Sequence, residues 1–235
     1  LGDSMTFGWG VEREDSFTGL VATRHGIDTY NVGSPGNDVC GYQALVDRMP
    51  KDAKPRAVVV GLIIENDITL NDCRGQAQAE KDQGGRAVES SLRSWASIKY
   101  ILTGHSALYN VLAASVKRLP WLVEGLTWLG VVARPHNTKN LLSRDETEQS
   151  ARTTVDEIAR ILDYLPPGTP MVVMVVPTRF EIRDKHPYFR EIRTGILRLL
   201  TQKNIATIDL YPGFEKAGFA ATHFVHDGHW SRAGH

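Results

Sequence analysis

Short apolar segments rich in β-branched residues alternate with helical patterns along much of this chain, and this alternation constrains the fold more than any other feature. The segments 28–32 (DTYNV), 57–63 (AVVVGLI), 171–176 (MVVMVV) and 205–210 (IATIDL) are typical of short buried strands. Leu1 is predicted to close a further strand. Strands that alternate with helices predict parallel βαβ units with helices on both faces of the sheet. The predicted fold class is therefore α/β.

Two stretches between the predicted strands carry the helical repeat. Between Thr153 and Leu165 the apolar residues fall on one helical face, and Pro166 follows as a stop signal. The stretch from Tyr188 to Asn204 shows the same spacing.

Length and charge narrow the class of protein. A chain of 235 residues suits one α/β domain, and 42% apolar with 23% charged residues is ordinary for a globular protein. The 27 basic and 27 acidic side chains cancel, so we expect no nucleic-acid partner. The most apolar stretch, 119–133, is too short to cross a bilayer and contains Pro120 and Glu124, so no transmembrane span is expected. The sequence starts inside a motif and stops in what resembles the first turn of a helix (WSRAGH), which is typical of a chain trimmed at both ends.

The stretch from Asn71 to Asn140 breaks the alternation. It begins polar, becomes helical and aromatic, and is too long for one crossover helix. We therefore predict one domain over 1–235 with a helical insertion over about 71–140. Two interpretations of the insertion stay open: a structural helical pair packed on the core, or a lid or wall beside a substrate.

Groups that can form hydrogen bonds follow four of the predicted strands. They are the Ser4 hydroxyl, the bare backbone amide of Gly36, the Asn66 carboxamide and the pair Asp227 and His229. In an open parallel sheet, ligands sit beyond the carboxyl ends of the strands. Each residue alone is explained by a turn or a cap, but together they supply a nucleophile, oxyanion donors, a base and an orienting carboxylate for acyl transfer.

Four motifs carry these residues: GDSMTFGWGV, NVGSPGND, GLIIEND and HDGHWSRAGH. In this order and at ordinary spacing they resemble the four blocks of the SGNH (GDSL-type) hydrolase superfamily. The resemblance spans Gly2 to His235 and implies a flavodoxin-like three-layer α/β/α sandwich. It also implies hydrolysis of esters, thioesters or O-acetyl groups, without a metal or another cofactor. Two positions depart from the family: Ile64 stands where many members have glycine, and the last block has Asp-x-His where Asp-x-x-His is common.

The resemblance assigns a role to each residue. It makes Ser4 the nucleophile, His229 the base and Asp227 the partner of that base. The amides of Ser4 and Gly36, with the side chain of Asn66, become the oxyanion donors. The main functional expectation is a serine esterase acting on a small-molecule, glycan or lipid ester. An O-acyltransferase with the same triad, or a binding module with a dead site, are the alternatives.

The stretch THFVHDGHW, which overlaps the last block, also permits a metal site. His223, His226, Asp227 and His229 lie within seven residues, and imidazoles with a carboxylate can bind zinc. No other cluster completes such a site, so we expect no metal and place His223 and His226 on the surface or on a pocket wall.

Three aromatic residues flank the proposed site. Phe7, Trp9 and Trp230 suit an apolar or sugar-stacking wall, and packing beside core strands explains them equally well.

Two cysteines follow proposed oxyanion residues, Cys40 after Gly36 and Cys73 after Asn66. Unrelated thiols are the favoured interpretation, because free cysteine commonly acts as a small hydrophobe. A disulfide between the two loops is the alternative in an oxidising compartment.

The resemblance favours a periplasmic or secreted protein over a cytoplasmic one, and the sequence makes no prediction of oligomeric state.

Overall fold

Residues 1–50, 52–68, 72–73, 142–225 and 227–235 are described by the structure, a computed structural model. Leu1–Cys73 with Ser143–His235 form one compact unit, and Arg74–Leu142 form a second. The predicted helical insertion over 71–140, and with it the choice between a packed helical pair and a lid, falls almost wholly outside the described residues.

A parallel three-stranded sheet runs through the first unit. Its strands are β1 (Val58–Ile63), β2 (Met171–Val176) and β3 (Ala206–Asp209), in the order β1-β2-β3. Val60 lies opposite Val173, which lies opposite Thr207. The predicted strands at 57–63, 171–176 and 205–210 are confirmed, as is the α/β class.

Helices connect and flank these strands. The α-helices among the described residues are α1 (Ser4–Phe7), α2 (Phe17–His25), α3 (Val39–Asp47), α4 (Arg144–Arg160), α5 (Arg179–Asp184), α6 (Pro187–Gln202), α7 (Tyr211–Ala217) and α8 (Phe219–Thr222). Short 3-10 turns cover Arg13–Asp15 and Ile161–Tyr164.

Both predicted helices are confirmed. The first begins nine residues earlier than its apolar repeat, because Ser143 and Glu146 cap each other in a capping box. It ends in a 3-10 turn at Tyr164. The second is α6, with Pro187 in its first turn.

The main core lies between one face of the sheet and three helices, α3, α4 and α6. Val60 and Val173 from the sheet are buried there with Tyr42, Ile158 and Ile196 from the helices. Each fully buried aliphatic side chain of this kind stabilises the fold by about 1.5–3 kcal/mol.

The other face of the sheet is covered at its carboxyl end. There Ile63 and Val176 pack against Phe214 and Trp230. Nearer the amino ends, Val59 is 41% exposed. Helices therefore cover both faces only in part within the described residues.

The segment 28–32 is not a strand, so that prediction is wrong. Its contact with the rest of the sheet is an isolated parallel bridge between Gly2 and Gly33. The side chain of Asn31 donates to the carbonyl of Thr6 and accepts from the amide of Gly33, while Thr29 donates to the Thr18 carbonyl. These local side-chain bonds replace the ladder of bonds that a strand needs.

The end of the chain forms turns and no helix, which corrects the expectation for WSRAGH. The amide of Ser231 donates to the carbonyl of Thr222, which draws this segment back along α8. Among the described residues, no helix combines the length and apolarity that a membrane crossing requires.

Cys40 and Cys73 form a disulfide, so the favoured interpretation of two unrelated thiols is wrong. Their Cα atoms lie 5.1 Å apart, within the range that a bridge requires. Cys40 sits in the first turn of α3, and Cys73 follows the turn after β1. The bridge therefore ties the start of α3 to the chain that follows the turn after β1.

Candidate active site

Ser4 is the first residue of α1, at the end of the segment that runs beside β1. Asp3 caps this helix, and its Oδ1 accepts from the amide of Met5 at 2.8 Å. The first amide of a helix has no acceptor within the helix, and the Ser4 amide holds this position in α1. The turn is tight: a Cβ atom on Gly33 would lie 2.4 Å from the amide nitrogen of Phe7. Glycine at position 33 therefore allows α1 to approach the neighbouring segment.

A closed loop carries the other two proposed catalytic residues. His223 and Trp230 form an antiparallel bridge at its base. Across the loop, the amide of Phe224 donates to the carbonyl of His229 at 2.8 Å, and the amide of Gly228 donates to the carbonyl of Phe224. Trp230 is buried against Phe214 and anchors the loop to the second core cluster.

Ser4, His229 and Asp227 form a continuous chain of hydrogen bonds. Nε2 of His229 lies 2.8 Å from the hydroxyl oxygen of Ser4, and Nδ1 lies 2.8 Å from Oδ1 of Asp227. Because a neutral imidazole donates from one nitrogen only, Nδ1–H to the carboxylate leaves Nε2 to accept the Ser4 proton. Ser4 is nearly buried, whereas Asp227 is about half exposed. The structure thus brings together three residues separated by up to 225 positions.

Asn66 lies in the turn that follows β1. Its amide donates to the carbonyl of Ile63, and its side-chain Nδ2 donates to Oδ2 of Asp3 at 2.7 Å. Asp3 directly precedes Ser4, so this bond holds the carboxamide beside the hydroxyl-bearing residue. The departure at Ile64 leaves this turn in place, because Ile64 extends the strand with a bond to Val176 and buries its side chain in the main core.

Two buried carboxyl groups lie under the site. Burial raises the pKa of Asp3 and, more strongly, the pKa of Asp67. Asp67 accepts from the Tyr42 hydroxyl and from the amide of Ile63. These donors fix the turn that presents Asn66.

Gly36 lies in a turn where the amide of Asn37 donates to the carbonyl of Ser34. The amide of Ser34 in turn donates to the carbonyl of Gly2, so this segment runs beside the start of α1. Gly36 has φ +78°, and the space where a Cβ would stand is empty. The left-handed backbone, not crowding, is therefore the reason for glycine here.

The structure corrects the predicted position of His223, one of the two other histidines near the site. His223 is buried, stacks on Phe219 at 4.6 Å between ring centroids and bonds to Thr222 through Nδ1, so it is neither a surface nor a pocket-wall residue. Burial lowers its pKa to about 4 and keeps it neutral. His226 lies outside the described residues. Within the part of the chain that the structure describes, no group of three or more potential ligands could hold a metal.

The aromatic residues divide between the two interpretations. The Trp9 ring lies 6.0 Å from the His229 ring, and Phe7 lies 6.5 Å from Trp9. Both side chains are about half exposed. Trp230 is buried in the core, so packing explains it. Phe7 and Trp9 form an apolar surface beside the triad.

Three residues of this region were not found from the sequence: Asp3, Glu65 and Arg179. Asp3 had a signal, since aspartate directly before a short helix is a common cap. Arg179 comes shortly after the end of β2, and inspection of the residues beyond every strand would have included it. Its guanidinium pairs with Glu65 at 2.7 Å.

Comparison of the chain with protein-family models, with curated proteins and with solved structures found no match.

Proposed function

We propose that this protein is a serine ester hydrolase of the SGNH type. The observation that carries the proposal is the unbroken Ser4–His229–Asp227 chain, with 2.8 Å between each pair of bonded atoms. A hydroxyl becomes a useful nucleophile when a base within hydrogen-bond reach is oriented by a third group. This arrangement meets that requirement and supports an active enzyme over a binding module with a dead site.

The proposed reaction has two steps. Nε2 of His229 takes the Ser4 proton while Oγ bonds to the ester carbonyl carbon, and the carbonyl oxygen gains the negative charge. His229 then gives its proton to the departing alcohol as the C–O bond breaks, which leaves an acyl-Ser4 ester. Water, deprotonated by His229, attacks this ester, and His229 returns the proton to Oγ of Ser4 as the bond between Oγ and the acyl carbon breaks, which releases the carboxylic acid and free Ser4.

The negative charge needs donors that are in place before the reaction. The Ser4 amide at the helix start, the Gly36 amide and the Asn66 carboxamide are the proposed set. The short hydrogen bond that Asn66 donates to Asp3 supports the role of Asn66, because it restrains the carboxamide and uses only one of its two N–H hydrogens. Fixed donors of this kind are usually the largest contribution to catalysis of acyl transfer.

We further propose that the sheet has the flavodoxin-like order of the resembled family. The Leu1 amino group donates to Val59 and the amide of Gly61 donates to Leu1, which places Leu1 beside β1. The bridge between Gly2 and Gly33 adds a segment outside it. The resulting spatial order supports the 2-1-3-4-5 arrangement of doubly wound sheets.

Hydrolysis of p-nitrophenyl acetate tests the proposal. We expect turnover by the unaltered protein, and we expect Ser4→Ala to lower kcat by at least about a thousandfold. Thr201→Ala is the control, because the exposed Thr201 hydroxyl donates to the carbonyl of Leu197 within α6 and takes no part in the triad. Full activity in Ser4→Ala would overturn the assignment of the nucleophile.

Product analysis separates hydrolysis from acyl transfer. With an added alcohol or sugar acceptor, a hydrolase releases mostly free acid, whereas an acyltransferase produces a new ester in preference. The half-exposed Phe7 and Trp9 support small-molecule, glycan or lipid esters as the substrate range. A periplasmic or secreted location stays part of this proposal, since disulfides persist in oxidising compartments.

A further inference from the structure

Arg179 reaches the site from the strand that supplied none of the predicted residues. It is the first residue of α5, shortly after β2 and Pro177. Thr178 caps this helix by accepting from the amide of Glu181 at 3.0 Å, which fixes the direction in which Arg179 leaves the sheet.

One guanidinium group contacts two loops of the proposed active site. Nη2 of Arg179 lies 2.7 Å from Oε1 of Glu65, the residue before Asn66. On the other side the same group lies against Gly228, between Asp227 and His229. A Cβ atom on Gly228 would stand 2.4 Å from Nη1 and 3.4 Å from Cζ of Arg179.

Gly228 is fitted to this contact in two ways. Its φ is +77°, which a residue with a side chain rarely adopts, and the arginine fills the space where a Cβ would stand. The Nε of Arg179 is buried without a hydrogen-bond partner among the described residues. A buried donor without a partner is unusual. We infer that contacts with the two loops determine the position of the Arg179 side chain, even though one of its donors is left without a hydrogen bond.

We propose that Arg179 is a positioning residue that holds the loop of Asp227 and His229 in register with the loop of Asn66. The base and the oxyanion donor come from different loops, and acyl transfer needs both at fixed distances from Ser4. A guanidinium can pair with Glu65 through Nη2 and lie against Gly228 through Nη1, whereas the ammonium of lysine has a single nitrogen and cannot reach both. The effect of Arg179 on turnover rests on the proposed function. The claim that Arg179 holds the two loops in register does not depend on that function.

Kinetics with matched variants give the first test. We expect Arg179→Met and Arg179→Lys to lower kcat about ten- to a hundredfold with little change in KM, because small displacements of reacting groups are costly. Gly228→Ala should have a similar effect. The control is Arg183→Met, which removes an exposed arginine of the same helix that pairs with Asp184. A fall in thermal stability with kcat unchanged would overturn the proposal and leave Arg179 as a structural residue.

Nuclear magnetic resonance of protein labelled with 15N-histidine gives the second test and needs no ester turnover. We expect His229, assigned with a His229→Gln variant, to hold its proton on Nδ1 in the unaltered protein and in Arg183→Met. In Arg179→Met we expect a mixture of tautomers, because the bond to Asp227 is no longer aligned. An unchanged tautomer in Arg179→Met would overturn the positioning role. If the tautomer depends on Arg179 but the unaltered protein hydrolyses no ester, the proposed function fails and the positioning role stands.

Discussion

Asn66 is a residue whose two possible roles differ sharply in their consequences. As a structural residue, it would only hold the turn after β1, to which its backbone amide already contributes. As an oxyanion donor, it would act through its side chain, which Asp3 holds at 2.7 Å. The difference can be measured, since the backbone contribution survives removal of the side chain.

We predict that Asn66→Ala lowers kcat by about 10²–10³ with little change in stability, as loss of one oxyanion donor does in other enzymes. Asn204→Gly is the matched control. It removes a carboxamide at another turn, where φ is +56°, a backbone conformation that glycine adopts readily. Ester turnover and thermal unfolding are measured on both variants. A change in kcat of less than about threefold for Asn66→Ala would make the residue structural.

Some single residues were predictable and others were not. Ser4 follows the end of a strand, and chain topology places such residues at one edge of the sheet. Asp227 and His229 come after β3, α7 and α8, and the resemblance of their motif assigned them to the same site. His223 lies just before the last motif, and its position depends on how it packs with Phe214 and Phe219. No local pattern in the sequence contains that information.

At the level of elements, apolar strands were predicted well and the polar one was not. β2 consists wholly of valine and methionine and lies in the middle of the sheet, so burial alone determines its state. In 28–32, Tyr30 is 89% exposed, and Asn31 uses its side chain on nearby backbone groups. Where burial contributes little, local hydrogen bonds decide the conformation.

The turn after β1 has a pH dependence that can be tested. Burial raises the pKa of Asp67 well above its usual value of 3.8. The folded state therefore binds this proton more tightly than the unfolded chain does. The stabilising contribution is fully present below the unfolded pKa and is lost as the pH rises through the folded pKa.

We predict that Asp67→Asn removes this loss of stability at higher pH. An asparagine can accept from the Ile63 amide and donate to the Tyr42 hydroxyl, so both bonds of the turn can be kept. The free energy of unfolding, measured with urea between pH 4 and 8, should therefore increase in the variant relative to the unaltered protein as the pH rises. Asp184→Asn should show a small difference of opposite sign, because the pairing of Asp184 with Arg183 lowers its pKa. Parallel curves for Asp67→Asn would contradict the prediction.

At the scale of the whole molecule, the sequence alone did not decide whether Cys40 and Cys73 form a disulfide. Both cysteines were placed at one edge of the sheet, but a bridge depends on Cα atoms within a few ångströms, and spacing along the chain does not determine that distance. In the structure it joins α3 to the chain directly before the Arg74–Leu142 unit.

We predict that a Cys40→Ala/Cys73→Ala double variant loses roughly 3–4 kcal/mol of stability, since the bridge closes a loop with a sequence separation of 33. A reductant should lower the Tm of the unaltered protein toward that of the variant and leave the variant itself unchanged. If the reductant lowers both equally, or neither, the bridge contributes nothing to stability.

The proposed nucleophile and its base are 225 residues apart along the chain. A ribosome adds Ser4 long before His229, so under the proposed function Ser4 stays an ordinary alcohol until the segment with His229 has been synthesised and has folded. Esterase activity would then appear only when both parts have reached the same edge of the sheet. If the short segment after α8 came loose, the esterase activity would be lost while the sheet stays intact. Turnover would therefore be a more stringent test of complete folding than secondary structure is.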